Sequence, residues 1–455
     1  MAKLRKNKNK PARLSPTQII AVTFAAIIFL GTILLSLPIA SRSGQSAGLL
    51  TALFTATSST CVTGLILVDT WTQWSGFGQI VLLCLIEIGG LGFMSVASLV
   101  IFAFKKKVGL RQRMLMAQAL SVNEMAGVVQ LQKWVLLGSL TIQLTGALIL
   151  IFRFLSLDWG LWQSVKWGVF HAISGFCNAG FDIVGNVAPG ANMILFNQDP
   201  VVMITLMALI VLGGLGFFVW EEIATERRFK KFSVYTKLVL ITSAVLVLGG
   251  ALLIAIVEWN NPGTLGPMDT PHKILNAFFQ AVTVRTAGFT GVDQAALTEG
   301  GKAISIVLML IGGASGSTAG GLKMVTVLVL VLFVVARARG KSTVTVFKRT
   351  VPHEKIMDAA TIVTLIVGLA MAGAILIVAT GPVSFTDALY ETASALATVG
   401  LTTGITPSLS LAAKLVIIVF MYFGRVGILT LSLGFLMGNK AESRYHYAST
   451  NLLIG

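Results

Sequence analysis

The sequence predicts an all-α membrane protein with four covalently linked units around one pseudo-fourfold pore. Each unit is expected to hold an outer helix, a short re-entrant pore helix and an inner helix, for eight transmembrane helices in all. Composition carries half of that reading. The 455 residues are 55% hydrophobic and only 11% charged, with a mean hydropathy of +0.86, outside the range of soluble domains. Spacing carries the other half. Four times an aromatic residue stands ten positions before a glycine that Leu or Phe follows: Phe54/Gly64, Phe170/Gly180, Phe278/Gly288 and Tyr390/Gly400. Repetition constrains architecture before any single motif is trusted.

Eight apolar stretches are long enough to cross a hydrocarbon core, which takes about 20 helical residues. They cover 17–40, 78–104, 134–151, 200–218, 238–257, 304–332, 359–379 and 411–436. Most of the 34 Lys and Arg residues cluster at Lys3 to Arg13, Lys105 to Lys133, Arg227 to Lys237, Arg337 to Lys355, and at Lys440 and Arg444. Positive charge gathers on cytoplasmic connections, so both termini are expected in the cytoplasm of a cell-membrane protein. The net charge of +16 then reports topology and not a nucleic-acid surface. A third full crossing in each unit would scatter these clusters to both sides, so the four repeated segments must enter and leave on one side. The expected organisation is a basic tail (1–16), units at 17–113, 114–231, 232–350 and 351–438, and a C-terminal tail (439–455). The first apolar stretch is too long for a signal-peptide core and reads as a retained helix. Cys61, Cys84 and Cys177 are an odd number in apolar contexts and give no disulfide framework.

Aligned on their last glycine, the loops read Thr60-Cys61-Val62-Thr63-Gly64, Phe176-Cys177-Asn178-Ala179-Gly180, Val284-Arg285-Thr286-Ala287-Gly288 and Leu396-Ala397-Thr398-Val399-Gly400. Side chains differ while length and terminal glycine persist, the pattern expected where backbone carbonyls do the work. Four such loops can replace the hydration shell of K+, with glycine supplying the necessary φ values. A plain tight turn at a helix end is the competing reading for any one loop. Asp69, Asp182 and Asp293 follow the first three loops and would gather cations at an outer mouth, or serve as helix caps. The fourth unit carries Thr402 and Thr403 there, which leaves the ring incomplete. Arg285 would repel a cation if it faced the axis, and a buried Arg needs a partner; Glu391 is the expected one.

A Gly-centred element sits in each inner stretch: Gly89-Gly90, Gly213-Gly214, Gly312-Gly313 and Gly424-Arg425. The first two read as close helix packing. Arg425 puts a cation where the other units have none, and an ionisable residue at that depth is a functional candidate; anchoring to backbone carbonyls or to Glu87 is the alternative. The run Gly312-Gly313-Ala314-Ser315-Gly316-Ser317-Thr318-Ala319-Gly320-Gly321, with Lys323 at its end, cannot hold a straight helix and reads as a flexible flap beneath the loops. It does not match a phosphate-binding loop.

With these pieces in hand, the chain resembles the Trk/Ktr/HKT superfamily of K+ transporters, and within it the bacterial KtrB-type membrane subunit. The motifs that carry the resemblance are Thr63-Gly64-Leu65, Asn178-Ala179-Gly180-Phe181, Arg285-Thr286-Ala287-Gly288-Phe289, Thr398-Val399-Gly400-Leu401, Gly316 to Gly321 and Gly424-Arg425-Val426-Gly427. The resemblance implies K+ uptake, often Na+-dependent, by a homodimer with one pore per subunit in a bacterial cell membrane. It implies filter glycines at Gly64, Gly180, Gly288 and Gly400, an intramembrane gating loop at 312–321, and a cavity arginine at Arg425. Glycine in all four filters is associated with K+ over Na+. It further implies docking on a cytoplasmic ring of nucleotide-binding RCK subunits. K+ would be substrate and Na+ an activator, with membrane lipids as surroundings, no covalent cofactor and no nucleic-acid partner. Two rivals are the K+-binding subunit of an ATP-driven pump and a Na+-permeable transporter. An enzyme built on His171, His272, His353 and Glu87 is disfavoured, because no two of those histidines share a unit or a motif spacing.

Overall fold

The computed structural model describes residues 16–92, 98, 109–119 and 127–427. The basic N-terminal tail, the ends of the 78–104 and 411–436 stretches, and the C-terminal tail lie outside the described residues. The regular structure among the described residues is helical apart from a two-residue-strand hairpin, β1 (Thr345–Val346) and β2 (Arg349–Thr350), inside a basic connection, and two isolated bridges.

Four long helices open the four units: α1 (Pro16–Ser36), α6 (Val128–Ser156), which follows α5 (Leu110–Ala119) in a basic connection, α10 (Val234–Glu258) and α14 (His353–Thr380). Each is long and apolar enough to cross a membrane. Each carries a stripe of exposed large apolar side chains, such as Phe29, Leu144, Leu252 and Ile375, the surface a hydrocarbon solvent requires and water would penalise. Four shorter helices follow: α2 (Leu49–Thr60), α7 (Leu161–Phe176), α11 (Thr270–Thr283) and α15 (Phe385–Ala397). Each packs on the long helix that precedes it and leads into one of the glycine loops. Their last turns are almost wholly buried: Ser58, Ser59 and Thr60 in α2, and Ser394, Ala395 and Leu396 in α15, have no exposed surface.

The inner helix of each unit starts on a side-chain cap. Ser75 caps α4 (Gly76–Leu91), Asp199 caps α8 (Pro200–Gly214), Thr298 caps α12 (Glu299–Leu310) and Ser410 caps α16 (Leu411–Val426). In each, the side-chain oxygen takes a backbone N–H that the first turn leaves free.

These inner helices end sooner than the apolar stretches predicted. Helix α4 stops at Gly92, α8 at Gly214 just before Gly216, and α16 at Gly427. Gly92, Gly216 and Gly427 have φ of 80°, 93° and 92° with extended ψ, a region essentially closed to residues with a Cβ. In the second unit the helix resumes as α9 (Phe217–Glu226), bent by 95° from α8. In the third it stops at Leu310 and resumes as α13 (Met324–Ala338). The sequence reading expected a break in the third unit alone. Apolar composition masked the others, because hydropathy does not register a single backbone angle. Counted by length and composition among the described residues, four helices span alone, and the bent α8–α9 pair makes a fifth.

The leading glycines do pack closely. A methyl group on Gly89, Gly213 or Gly424 would collide with the carbonyl oxygen of Thr60, Phe176 or Leu396 respectively. Each of those carbonyls closes the short helix of the same unit, so the absent side chain lets the inner helix press against the base of the loop. Gly90 adds a second such contact, since its methyl would lie 2.7 Å from Cys177 Sγ.

Candidate cation filter and gate

The short helices deliver four loops of one shape. The residue two before each glycine has a left-handed backbone: Val62 (φ 55°), Asn178 (59°), Thr286 (69°) and Thr398 (52°). The glycines follow with φ of 96° at Gly64, 68° at Gly180, 81° at Gly288 and 95° at Gly400. Four non-glycine residues in a strained region at equivalent positions mark a geometry the surroundings enforce. Side chains from Thr60 to Thr63 and from Leu396 to Val399 are buried, as are their counterparts in the middle units, including Arg285.

The glycines meet in a closed ring. A methyl on Gly64 would lie 2.5 Å from the Ala179 carbonyl oxygen, and one on Gly180 would lie 2.7 Å from that of Ala287. A methyl on Gly288 would strike the Val399 oxygen, and one on Gly400 would strike the Thr63 oxygen. Each unit thus presents the carbonyl preceding its glycine to the glycine of the neighbour, in the cyclic order one to four. The carboxyl ends of the four short helices face this ring, so their dipoles add negative potential there.

Beneath it lies the glycine-rich loop of the third unit. It is closed on itself by Gly312 N–H donating to Leu322 O at 2.8 Å and Met324 N–H to Gly313 O at 3.1 Å. It is also fastened to the second unit. Ala314 N–H donates to Gly214 O at 2.9 Å, Phe217 N–H to Gly316 O at 2.8 Å, and Thr318 Oγ1 to Phe176 O at 3.1 Å. Arg425 reaches the loop from the fourth unit. Its Nη1 donates to Thr318 O while Nη2 donates to the carbonyls of Gly89 (2.5 Å) and Gly90 (2.9 Å). One guanidinium therefore ties the fourth unit to the loop and to the first inner helix. Anchoring to backbone carbonyls, left open by the sequence, is what the geometry places there. Glu87 instead accepts from Gln143 at 3.1 Å and from the Cys177 thiol at 3.3 Å. Lys323 Nζ donates to Ala319 O at 2.7 Å and braces the far end of the loop.

Arg285 departs from expectation. Its Nη1 donates to Ser243 Oγ of α10 at 3.1 Å, and the side chain borders a small cleft with Ile210, Val211, Gly214 and Gly313. Glu391 accepts from the Thr406 hydroxyl, and no ion pair joins it to Arg285 among the described residues. The expected pairing assumed that two buried opposite charges in neighbouring units must meet; a hydroxyl partner on each side separates them instead.

The three acidic residues are each held by a backbone N–H. Asp69 caps α3 (Thr70–Gln73) through Thr72 at 2.8 Å and also accepts from Gly190 of the second unit at 3.1 Å. Asp182 is buried and accepts from Val184 at 3.1 Å. Asp293 is exposed and accepts from Ala295 at 2.9 Å. The sequence reading missed two contributors. Asn192 offers its amide to Gly180 O at 3.5 Å and accepts from Thr290 N–H at 3.2 Å, linking two loops from outside. A hydroxyl near the end of each short helix (Ser58, Ser174, Thr283, Ser394) bonds the loop backbone. Serine six positions before the glycine in three units was a legible signal, hidden by a one-residue shift in the third.

Comparison with known proteins decides the family. The model of the TrkH family, described as a cation transport protein, matches residues 1–444. The chain belongs to that family. Among its TrkH-family relatives, the potassium/sodium uptake protein NtpJ of Enterococcus hirae is 40% identical over 97% of this chain and 98% of its own length. The Ktr system potassium uptake protein B of Bacillus subtilis is 40% identical over 96% of each chain, and that of Vibrio alginolyticus 36% over 98% and 97%. The crystal structure of the potassium transporter TrkH from Vibrio parahaemolyticus shares the fold, with a TM-score of 0.71 at 18% identity, covering 94% of this chain and 86% of that one. This TrkH-family chain is a helical membrane protein, and its relatives are transport proteins and not enzymes.

Proposed function

We propose that this protein takes K+ up across the cell membrane through a filter of backbone carbonyls. The observation that carries the reading is the closed ring in which Thr63, Ala179, Ala287 and Val399 oxygens alternate with Gly64, Gly180, Gly288 and Gly400. An ion that sheds its water needs several oxygens at once, and rotation about glycine provides them without a side chain in the way. The four short helices enter and leave on one side of the membrane, both termini are cytoplasmic, and the 312–321 loop under the ring gates the path. Arg425 and Lys323 hold that loop closed through carbonyl contacts. The names of relatives in Ktr systems and of a potassium/sodium uptake protein support K+ as substrate; in this reading Na+ acts as activator. In the same reading the protein is a homodimer with an RCK-type cytoplasmic partner, which the basic connection around β1 and β2 would meet.

The test is cation flux in proteoliposomes for the wild-type chain and Gly64→Ser. A serine there must fit a φ of 96° and a Cβ 2.5 Å from Ala179 O, so the ring opens. The expected outcome is flux that persists with K+ no longer preferred over Na+. Unchanged preference would remove the filter assignment.

A further inference from the structure

We propose that Ser58, Ser174, Thr283 and Ser394 are positioning residues that aim the carbonyls of the candidate filter, and that Ser58 and Ser394 set its preference between K+ and Na+. The proposal rests on the filter reading above. All four side chains are without exposed surface, and each lies in the last turns of a short helix. The backbone carbonyl of each accepts from the N–H of the residue preceding the glycine: Thr63 at 2.8 Å, Ala179 at 2.8 Å, Ala287 at 2.9 Å and Val399 at 2.8 Å. The loop is therefore already tied to its helix at one peptide. The hydroxyl ties a second.

It does so in two ways. In the first and fourth units the hydroxyl oxygen accepts from the glycine itself: Gly64 N–H to Ser58 Oγ at 3.0 Å, and Gly400 N–H to Ser394 Oγ at 3.0 Å. A trans peptide is planar, with its N–H and C=O pointing in opposite directions. Holding the Gly64 N–H back toward α2 therefore turns the Thr63 carbonyl away from α2, and that oxygen is the one facing Gly400. Ser394 does the same for Val399, whose oxygen faces Gly288. In the second and third units the hydroxyl donates instead, from Ser174 Oγ to Phe181 O at 2.7 Å and from Thr283 Oγ1 to Phe289 O at 2.7 Å. Those carbonyls, one residue past the glycine, are drawn back to their own helices and off the path. The division follows the sequence: Leu65 and Leu401 follow the glycine where the hydroxyl accepts, Phe181 and Phe289 where it donates.

Without the Ser58 hydroxyl, the buried Gly64 N–H has no partner, and a buried unpaired donor is costly enough to drive rotation of its peptide. The Thr63 carbonyl then leaves the ring. The experiment measures K+ and Na+ uptake by the full chain in bacterial cells lacking other K+ uptake, for Ser58→Ala, Ser394→Ala, Ser58→Thr and Ser58→Val, beside Gly64→Ser. The Ala variants are expected to lower the K+/Na+ ratio of kcat/KM about fivefold, the size of one neutral hydrogen bond, and Thr to keep the ratio. Thr and Val fill the same space, so a ratio retained in Thr and lost in Val supports the role even if Ala reduces the amount of folded protein. Equal ratios in Thr and Val, or wild-type ratios in both Ala variants, overturn it. If Gly64→Ser loses K+ preference while the hydroxyl variants keep it, only the positioning role falls. If Gly64→Ser keeps K+ preference, the filter reading falls with it.

Discussion

Arg425 and Arg285 are both buried arginines, yet their surroundings assign them different work. Arg425 contacts three backbone carbonyls drawn from the first inner helix and the 312–321 loop, whereas Arg285 has one hydroxyl partner behind the third loop. Hydrogen bonds to a charged group are worth about 1.5–3 kcal/mol each, so Arg425 holds the loop more firmly than any neutral contact there. A cation about 8 Å from an ion also raises its energy by roughly 2 kcal/mol at an effective dielectric of 20. Arg425→Ala is therefore expected to raise K+ flux in proteoliposomes by up to about thirtyfold with the protein still folded; unchanged or lower flux would show that it neither latches the loop nor sets a barrier. Arg285 and Glu391 should act independently. A double-mutant cycle with Arg285→Gln and Glu391→Gln, read as K+ affinity, is expected to be additive within about 0.5 kcal/mol, and strong coupling would restore the ion pair that the geometry lacks.

The inner helices show at the scale of the element what sequence made legible and what it hid. The Gly-Gly pairs were readable as close packing, because small residues at a membrane helix face have few other uses, and Gly89 and Gly213 do press on Thr60 O and Phe176 O. The ends of α4, α8 and α16 were not readable, because the stretches stay apolar past Gly92, Gly216 and Gly427, and only the positive φ of those residues marks the stop. The loops were legible as a set, since their length and last glycine recur while their side chains vary. Their left-handed residues at Val62, Asn178, Thr286 and Thr398 were not, for three of the four are β-branched, a residue type that argues against a left-handed backbone. Packing at these glycines leads to a stability prediction. Gly213→Ala places a methyl against Phe176 O and near Thr318 Oγ1, a form of overpacking that costs about 1–3 kcal/mol. The purified variant should melt several degrees lower and lose K+ flux, and an unaltered Tm would mean that the helix moves aside freely.

Across the whole molecule, four units differ in sequence while converging on one axis, and contacts between units hold that convergence. Lys302 pairs with Asp387 at 2.9 Å across the third and fourth units, Asp69 of the first unit accepts from Gly190 N–H of the second at 3.1 Å, and Asn192 links the second loop to the third. Among the described residues the third unit carries the longest break in its inner helix, and the loop it supplies is bonded by the second unit and by Arg425. The most direct test of the account is the position of a heavy K+ analogue: a crystal structure with Tl+, located by anomalous scattering. The expected result is density on the pore axis, ringed by the carbonyl oxygens of Thr63, Ala179, Ala287 and Val399 and weakened by Gly64→Ser. Tl+ bound off that axis by side chains, with none at the ring, would contradict it.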